Sequence, residues 1–150
     1  MSMKPWQTHS REETLELGSD LASLLEALRH PRALVVGLEG NLGGGKTTFI
    51  QGMFSGLGIR QPAVSPTFTI IRPYHRRAGS LRHVYHIDCY RLEDPRELTA
   101  LGFPELLADP QNLILIEWAD MVKPLLPSDT LWLLFRHGAT ENERSISFRL

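Results

Sequence analysis

The sequence predicts an α/β fold, a three-layer sandwich with helices on both faces of a mixed, mainly parallel central sheet that carries antiparallel edge strands. Three observations predict it. An apolar run from Ala33 to Leu38 leads into a glycine cluster and then into a helical pattern, which gives the order strand, loop, helix. A second apolar run, Asn112 to Trp118, suits another strand buried on both faces. Leu131 to Arg136 and Arg144 to Leu150 read as antiparallel strands joined by a polar turn at residues 138–142.

The elements follow in chain order. Ser10-Arg11-Glu12-Glu13 has the form of a capping box, the Ser10 hydroxyl accepting from the Glu13 N–H while the Glu13 carboxylate reaches back. The helix that starts there carries Leu17, Leu21, Leu24, Leu25 and Leu28 at helical spacing and ends before Pro31. After the glycine cluster, Phe49, Ile50, Met53, Phe54 and Leu57 again recur at helical spacing, and Gly56 and Gly58 offer a stop. Ser65 to Ile71 is β-prone but interrupted by proline, which suits an edge strand entered through a loop. Residues 76–80 read as a solvated turn, and Leu81 to Tyr90 alternates, so these two segments form a hairpin. Pro95 to Leu107 is a short helix broken near Gly102 and Pro104.

A chain of 150 residues suits one domain over its whole length, with enough residues for a sizeable core. Hydrophobic content of 42% and charged content of 22% exclude a disordered or fibrous class. Sixteen Lys and Arg against seventeen Asp and Glu leave no global field to gather nucleic acid or anionic lipid, so any nucleic-acid contact is local or made through a partner. A single cysteine, Cys89, excludes an internal disulfide and fits a reducing compartment. With no apolar leader at residues 1–10 and no membrane-spanning run, the expected address is the cytoplasm.

Gly40-Asn41-Leu42-Gly43-Gly44-Gly45-Lys46-Thr47 satisfies the phosphate-loop (P-loop, Walker A) pattern in full, between a strand and a helix. Glycines let successive N–H groups curl toward phosphate oxygens, and the helix start adds its positive dipole end. This motif points to ATP with Mg²⁺. Lys46 is placed to bridge the β- and γ-phosphates, the Thr47 hydroxyl to ligate magnesium, and Thr48 to reach the α-phosphate. Glu117 closes a buried strand at the end of the sheet where ligands of open α/β folds sit; its carboxylate can hold magnesium or polarise the attacking water.

His86-Ile87-Asp88-Cys89-Tyr90-Arg91 puts His86, Asp88 and Tyr90 on one face of a strand. Its His and Asp suit either metal ligation or a hydrogen-bonded structural pair. Ser65-Pro66-Thr67 suits either an ordinary turn or a switch loop whose hydroxyls sense the γ-phosphate and magnesium.

Taken together, the first helix (Thr14 to Gly18), Leu42 to Phe49, Ser65 to Thr69, His86 to Leu92 and Ile116-Glu117-Trp118 resemble the bacterial TsaE (YjeE) ATPases, over nearly the whole chain. The resemblance implies an ATPase, slow alone, that supports threonylcarbamoyladenosine formation in tRNA within an assembly with TsaB and TsaD, tRNA being met indirectly through that complex. It implies that Leu42, Gly43, Gly44, Gly45, Lys46, Thr47 and Thr48 hold the phosphates and that Thr47 and Glu117 ligate Mg²⁺. It further implies that Asp88 lies by the γ-phosphate and its water, that Ser65 and Thr67 form the switch loop, and that the segment Thr8 to Arg11 lies near the adenine. The catalytic set is then Lys46, Asp88 and Glu117. Where the family has aspartate and alanine, this chain has Asn41 and Gly44, and Cys89 replaces an apolar residue on the opposite face of its strand, which suits a buried filler.

Two other functions fit a phosphate loop. A small kinase needs arginines closing on the phosphates, and Arg72, Arg76, Arg77 and Arg82 cluster on the hairpin. A nucleotide-dependent docking module needs only a loop that orders on ATP.

Overall fold

The computed structural model describes residues 4–40, 45–63 and 69–149. The elements are β1 (Trp6–Thr8), α1 (Arg11–Ala27), β2 (Leu34–Gly40), α2 (Lys46–Gly56), β3 (Ile71–His75), β4 (His83–Asp88), α3 (Arg96–Ala100), α4 (Phe103–Ala108), β5 (Asn112–Glu117), a 3-10 segment (Ala119–Leu125), β6 (Leu131–His137) and β7 (Arg144–Arg149). Seven strands form one sheet in the order β1-β7-β6-β2-β5-β4-β3. The central strands β6, β2, β5 and β4 run parallel, and β1, β7 and β3 add antiparallel edges, as expected from the sequence.

Alternation along the parallel strands divides the core in two. Val36, Leu38, Val84, Leu113 and Leu115 face α1 and α2, where Phe49, Ile50, Met53 and Phe54 of α2 lie against them. Ile87, Cys89, Ile114 and Ile116 face the other side and pack with Leu98 of α3, Phe103 of α4 and Val122 of the 3-10 segment. All six residues of β5 are buried, the reason its sequence is a continuous apolar run.

The first helix departs in part from its leucine spacing. Leu17 and Leu25 are buried and Leu21 packs against the core as expected, but Leu24 and Leu28 are 65% and 53% exposed, and the buried line is completed by Thr14, Gly18 and Ala22. Two glycines set this rotation. A Cβ at Gly18 would lie 2.3 Å from the Phe49 carbonyl oxygen, and one at Gly52 would lie 2.1 Å from that of Leu15, so α1 and α2 meet backbone to backbone. The capping box is also half changed: Ser10 Oγ accepts from the Glu13 N–H at 3.1 Å, but the Glu13 carboxylate accepts from the His9 N–H at 2.7 Å.

The hairpin turn is exposed at residues 77–80, as its sequence suggests, while Arg76 is half-buried and anchors it. Arg76 donates to the Glu26 carboxylate of α1 at 3.0 Å, to the Leu57 carbonyl at 2.8 Å, and to the Leu81 carbonyl. Glu26 in turn accepts from the N–H groups of Ser80 and Leu81, both at 3.2 Å. One ion pair thereby clamps the hairpin to the ends of both α1 and α2.

Candidate functional site

Parallel pairing brings the chemistry to one end of the sheet. Register places Glu117 of β5 between Leu38 of β2 and Asp88 of β4, so the two carboxyl-bearing positions stand side by side at the strands' C-terminal ends, about one strand spacing (~4.8 Å) apart. There β2 ends at Gly40 and α2 begins at Lys46. Gly40 has φ 140° and Gly45 φ 96°, a region that suits glycine on both sides of the loop.

Lys46 is only 5% exposed. Its ammonium donates to the Gly40 carbonyl and lies 4.4 Å from the centroid of the Trp118 ring. Burial lowers its pKa below the ordinary lysine value, while the nearby charges of Glu117, Asp88 and Asp120 pull it back up. Trp118 follows β5 directly and takes the left-handed conformation, φ 57°, where the chain turns into the 3-10 segment. The same ring packs on Tyr90 with centroids 5.0 Å apart.

Asp88 accepts from the Tyr90 N–H at 2.9 Å, an Asx turn that ends β4 and leaves the carboxyl half-buried. Burial raises its pKa; the Tyr90 hydrogen bond opposes this, Glu117 adds to it, and His86 and Lys46 oppose it. Glu117 is 4% exposed, so its carboxylate does not reach solvent. Its Oε2 lies 2.6 Å from His86 Nε2. His86 therefore pairs across to β5 and not with Asp88 two residues on, and its Nδ1 is buried without a hydrogen-bond partner among the described residues. Among the described residues no group of three or more His, Cys, Asp or Glu is arranged to hold a metal by itself, so a cation here needs hydroxyl, water or phosphate oxygens as well.

Beside this cluster lies a cleft of about 190 Å³ lined by Ser10, Arg11, Thr14, Gly45, Thr48, Asn142 of the β6–β7 turn and Arg144 of β7. Strand β1 builds it: Thr8 pairs in register with Arg144, and a 2.8 Å bond between the Thr8 and Thr14 hydroxyls fixes the entry to α1. The Arg144 side chain passes within 3.4 Å of where a Gly45 Cβ would stand, which adds a second reason for glycine there.

Of the residues expected from the sequence, Arg11, Gly45, Lys46, Thr47, Thr48, Asp88 and Glu117 gather at this end, with Thr47 and Thr48 in the first turn of α2. Leu42, Gly43, Gly44, Ser65 and Thr67 lie outside the described residues. Three participants were missed as site residues: Trp118 under Lys46, and Asn142 and Arg144 in the cleft. The adjacency of Trp118 to Glu117 was a usable signal, whereas nothing local marks Arg144. Cys89 is fully buried on the opposite face, and burial pushes its thiol up to about 12, which fits a filler and not a nucleophile. Among the described residues no helix is long and apolar enough to cross a membrane.

Comparison with known proteins agrees with the architecture. Residues 8–146 match the family model of the threonylcarbamoyl adenosine biosynthesis protein TsaE. The chain is 39% identical to the tRNA threonylcarbamoyladenosine biosynthesis protein TsaE of Bacillus subtilis, over 99% of this chain and 86% of that one. It is 38% identical to the Haemophilus influenzae protein of the same name, over 75% of this chain and 69% of that one. A crystal structure of Bacillus subtilis YdiB superposes with a TM-score of 0.74 at 34% identity, covering 99% of this chain and 86% of that one.

Proposed function

Because the chain belongs to the TsaE family, we propose that it binds ATP with Mg²⁺ at the cluster of Lys46, Asp88 and Glu117, hydrolyses it slowly, and thereby serves threonylcarbamoyladenosine formation in tRNA together with TsaB and TsaD. The observation that carries this reading is the burial of one ammonium and one carboxyl group, with a second carboxyl half-buried beside them, around the start of α2, where a complete phosphate-loop sequence ends.

The residues present fit the nucleotide. The first N–H groups of α2 have no acceptor within the helix, and the dipole favours an anion there. Lys46, desolvated and hydrogen-bonded among the described residues to one carbonyl over an indole face, gains most from a phosphate oxygen. The cleft by Arg11 and Arg144 continues from Gly45 and Thr48 and takes the ribose and base. The Thr47 hydroxyl and the Glu117 carboxylate are the magnesium donors, with His86 fixing the carboxylate from behind. The bound cation supplies neutralisation of charge on the β- and γ-phosphates. Asp88, half-buried and with its pKa raised, then orients the attacking water and takes its proton, while Glu117, buried and engaged by His86, is the poorer candidate for that task. Of the hairpin arginines on which a kinase reading depends, Arg76, Arg77 and Arg82 lie at the turn before β4, at the opposite end of that strand from Asp88, and Arg76 is held by Glu26; Arg72 pairs in register with His86 on the edge strand β3.

Phosphate release measured with and without TsaB and TsaD tests the proposal. Wild-type chain is expected to turn over ATP, faster with the partners. Lys46→Ala is expected to lose nucleotide binding at least 100-fold, and Asp88→Ala to keep binding while losing turnover. Transfer of labelled phosphate to a small acceptor, or unchanged binding by Lys46→Ala, would sink it.

A further inference from the structure

The chain's charges nearly balance, yet their distribution does not. Residues 40–87 contain six Lys and Arg and no Asp or Glu. Lys46 alone among these six faces the carboxylates of the nucleotide end. At the far end of α2, about 16 Å away for a helix of 11 residues, an open cleft of about 750 Å³ is lined by Arg60, Gln61, His75, Arg76 and Arg77 over an apolar floor of Leu57 and Ile59. Arg82 stands on the same turn.

Arg76 is not available there, since Glu26 and two carbonyls hold it. Glu26, the acid paired with Arg76, is likewise occupied, by Arg76 and by the N–H groups of Ser80 and Leu81. Arg60 and Arg77 differ. Both are exposed, and among the described residues neither guanidinium has an ion-pair or hydrogen-bond partner. The cleft thus presents two guanidinium groups that no carboxylate among the described residues neutralises, one of them next to the Arg76 clamp.

We propose that this cleft binds the sugar–phosphate backbone of RNA. Guanidinium forks match phosphate oxygens in pairs, the cleft is too wide for one small anion, and the apolar floor with the His75 ring offers a place for ribose and an unstacked base. The contact is direct and lies at the opposite end of α2 from the nucleotide site, so it does not depend on ATP being bound.

Fluorescence anisotropy of labelled transfer RNA with the full chain tests this between 50 and 200 mM salt, both concentrations being chosen to give a counterion-release slope. Wild-type chain is expected to bind with salt-dependent affinity. The double variant Arg60→Glu/Arg77→Glu is expected to bind about tenfold more weakly with the slope reduced by about 2, and the alanine pair to show a smaller loss in the same direction. The control Arg136→Glu/Arg149→Glu, with the same change of net charge on exposed strand positions, is expected to retain binding. ATP affinity and Tm are expected to stay unchanged in the double variant, which keeps this result separate from the nucleotide proposal. Absence of wild-type binding at 50 mM salt, equal loss in the control, or tighter binding of labelled polyglutamate than of RNA would each overturn the assignment, the last in favour of an acidic protein surface.

Discussion

The two ends of α2 handle charge in opposite ways. At its N-terminus Lys46, Glu117 and His86 are almost fully buried, at 5%, 4% and 1% exposure, and Asp88 is half-buried. At its C-terminus one ion pair, Arg76 with Glu26, is spent on anchoring backbone, and Arg60 and Arg77 stand in solvent. Burying charge is costly unless partners are close, and it shifts pKa values. Exposed guanidinium groups cost little. The nucleotide end therefore stores unfavourable electrostatics that a ligand can relieve, and the hairpin end does not.

Because α2 joins the two ends, breaking its seat should damage both. Gly52→Ala puts a Cβ against the Leu15 carbonyl, with backbone on both sides and little room to yield. A loss of about 3 kcal/mol is expected in urea unfolding, with weaker binding of every ligand. His86→Ala acts at the nucleotide end alone. It removes the 2.6 Å partner of a buried carboxylate, with an expected cost of about 2 kcal/mol. Magnesium-dependent nucleotide affinity should fall about tenfold, as for loss of a group supporting a ligand, while His86→Gln should recover part of it. Calorimetric titration with and without Mg²⁺ distinguishes this from simple destabilisation, which would lower both affinities together.

Arg76→Ala is the matching change at the hairpin end. It leaves Glu26 and the Leu57 and Leu81 carbonyls short of a donor, and about 1.5 kcal/mol of stability should be lost with ATP affinity unaltered. The smallest effect has the opposite sign. The pKa of Asp88 is raised in the folded chain, so folding favours the protonated form, and its contribution to stability is present at low pH and lost as pH rises from the unfolded value near 3.8 through the raised one. Asp88→Asn should consequently be slightly more stable than wild type at pH 7, by less than about 1 kcal/mol given its partial exposure, and the difference should vanish toward pH 3. Thermal unfolding across that pH range would show it, alongside reduced turnover.

The sequence made some of this visible because the signals are local. The run Asn112 to Glu117 is apolar since both faces of β5 are covered, and the glycine loop declares itself by its spacing. Other features depend on distant partners. β1 is three residues long and exists because Thr8 meets Arg144, far along the chain. The His86–Glu117 pair spans 31 residues across two parallel strands, so His86 could be read as easily toward Asp88. Leucine spacing in α1 found Leu17, Leu21 and Leu25 on the core side but wrongly included Leu24 and Leu28, because Gly18 and Gly52, not the largest side chains, decide how the helices meet. The 3-10 segment Ala119–Leu125 has Pro124 within it and no helical period to announce it.

The central claim, that the buried charges at the start of α2 form a magnesium–nucleotide site, is tested most directly by crystals grown with a non-hydrolysable ATP analogue and Mn²⁺ in place of Mg²⁺, using the anomalous signal of manganese. The account predicts one strong peak between the Thr47 hydroxyl, the phosphates and the Glu117 carboxylate, bound directly or through one water, with Lys46 turned from the Gly40 carbonyl onto phosphate oxygen. A nucleotide bound elsewhere, or a manganese peak remote from Thr47 and Glu117, would contradict it.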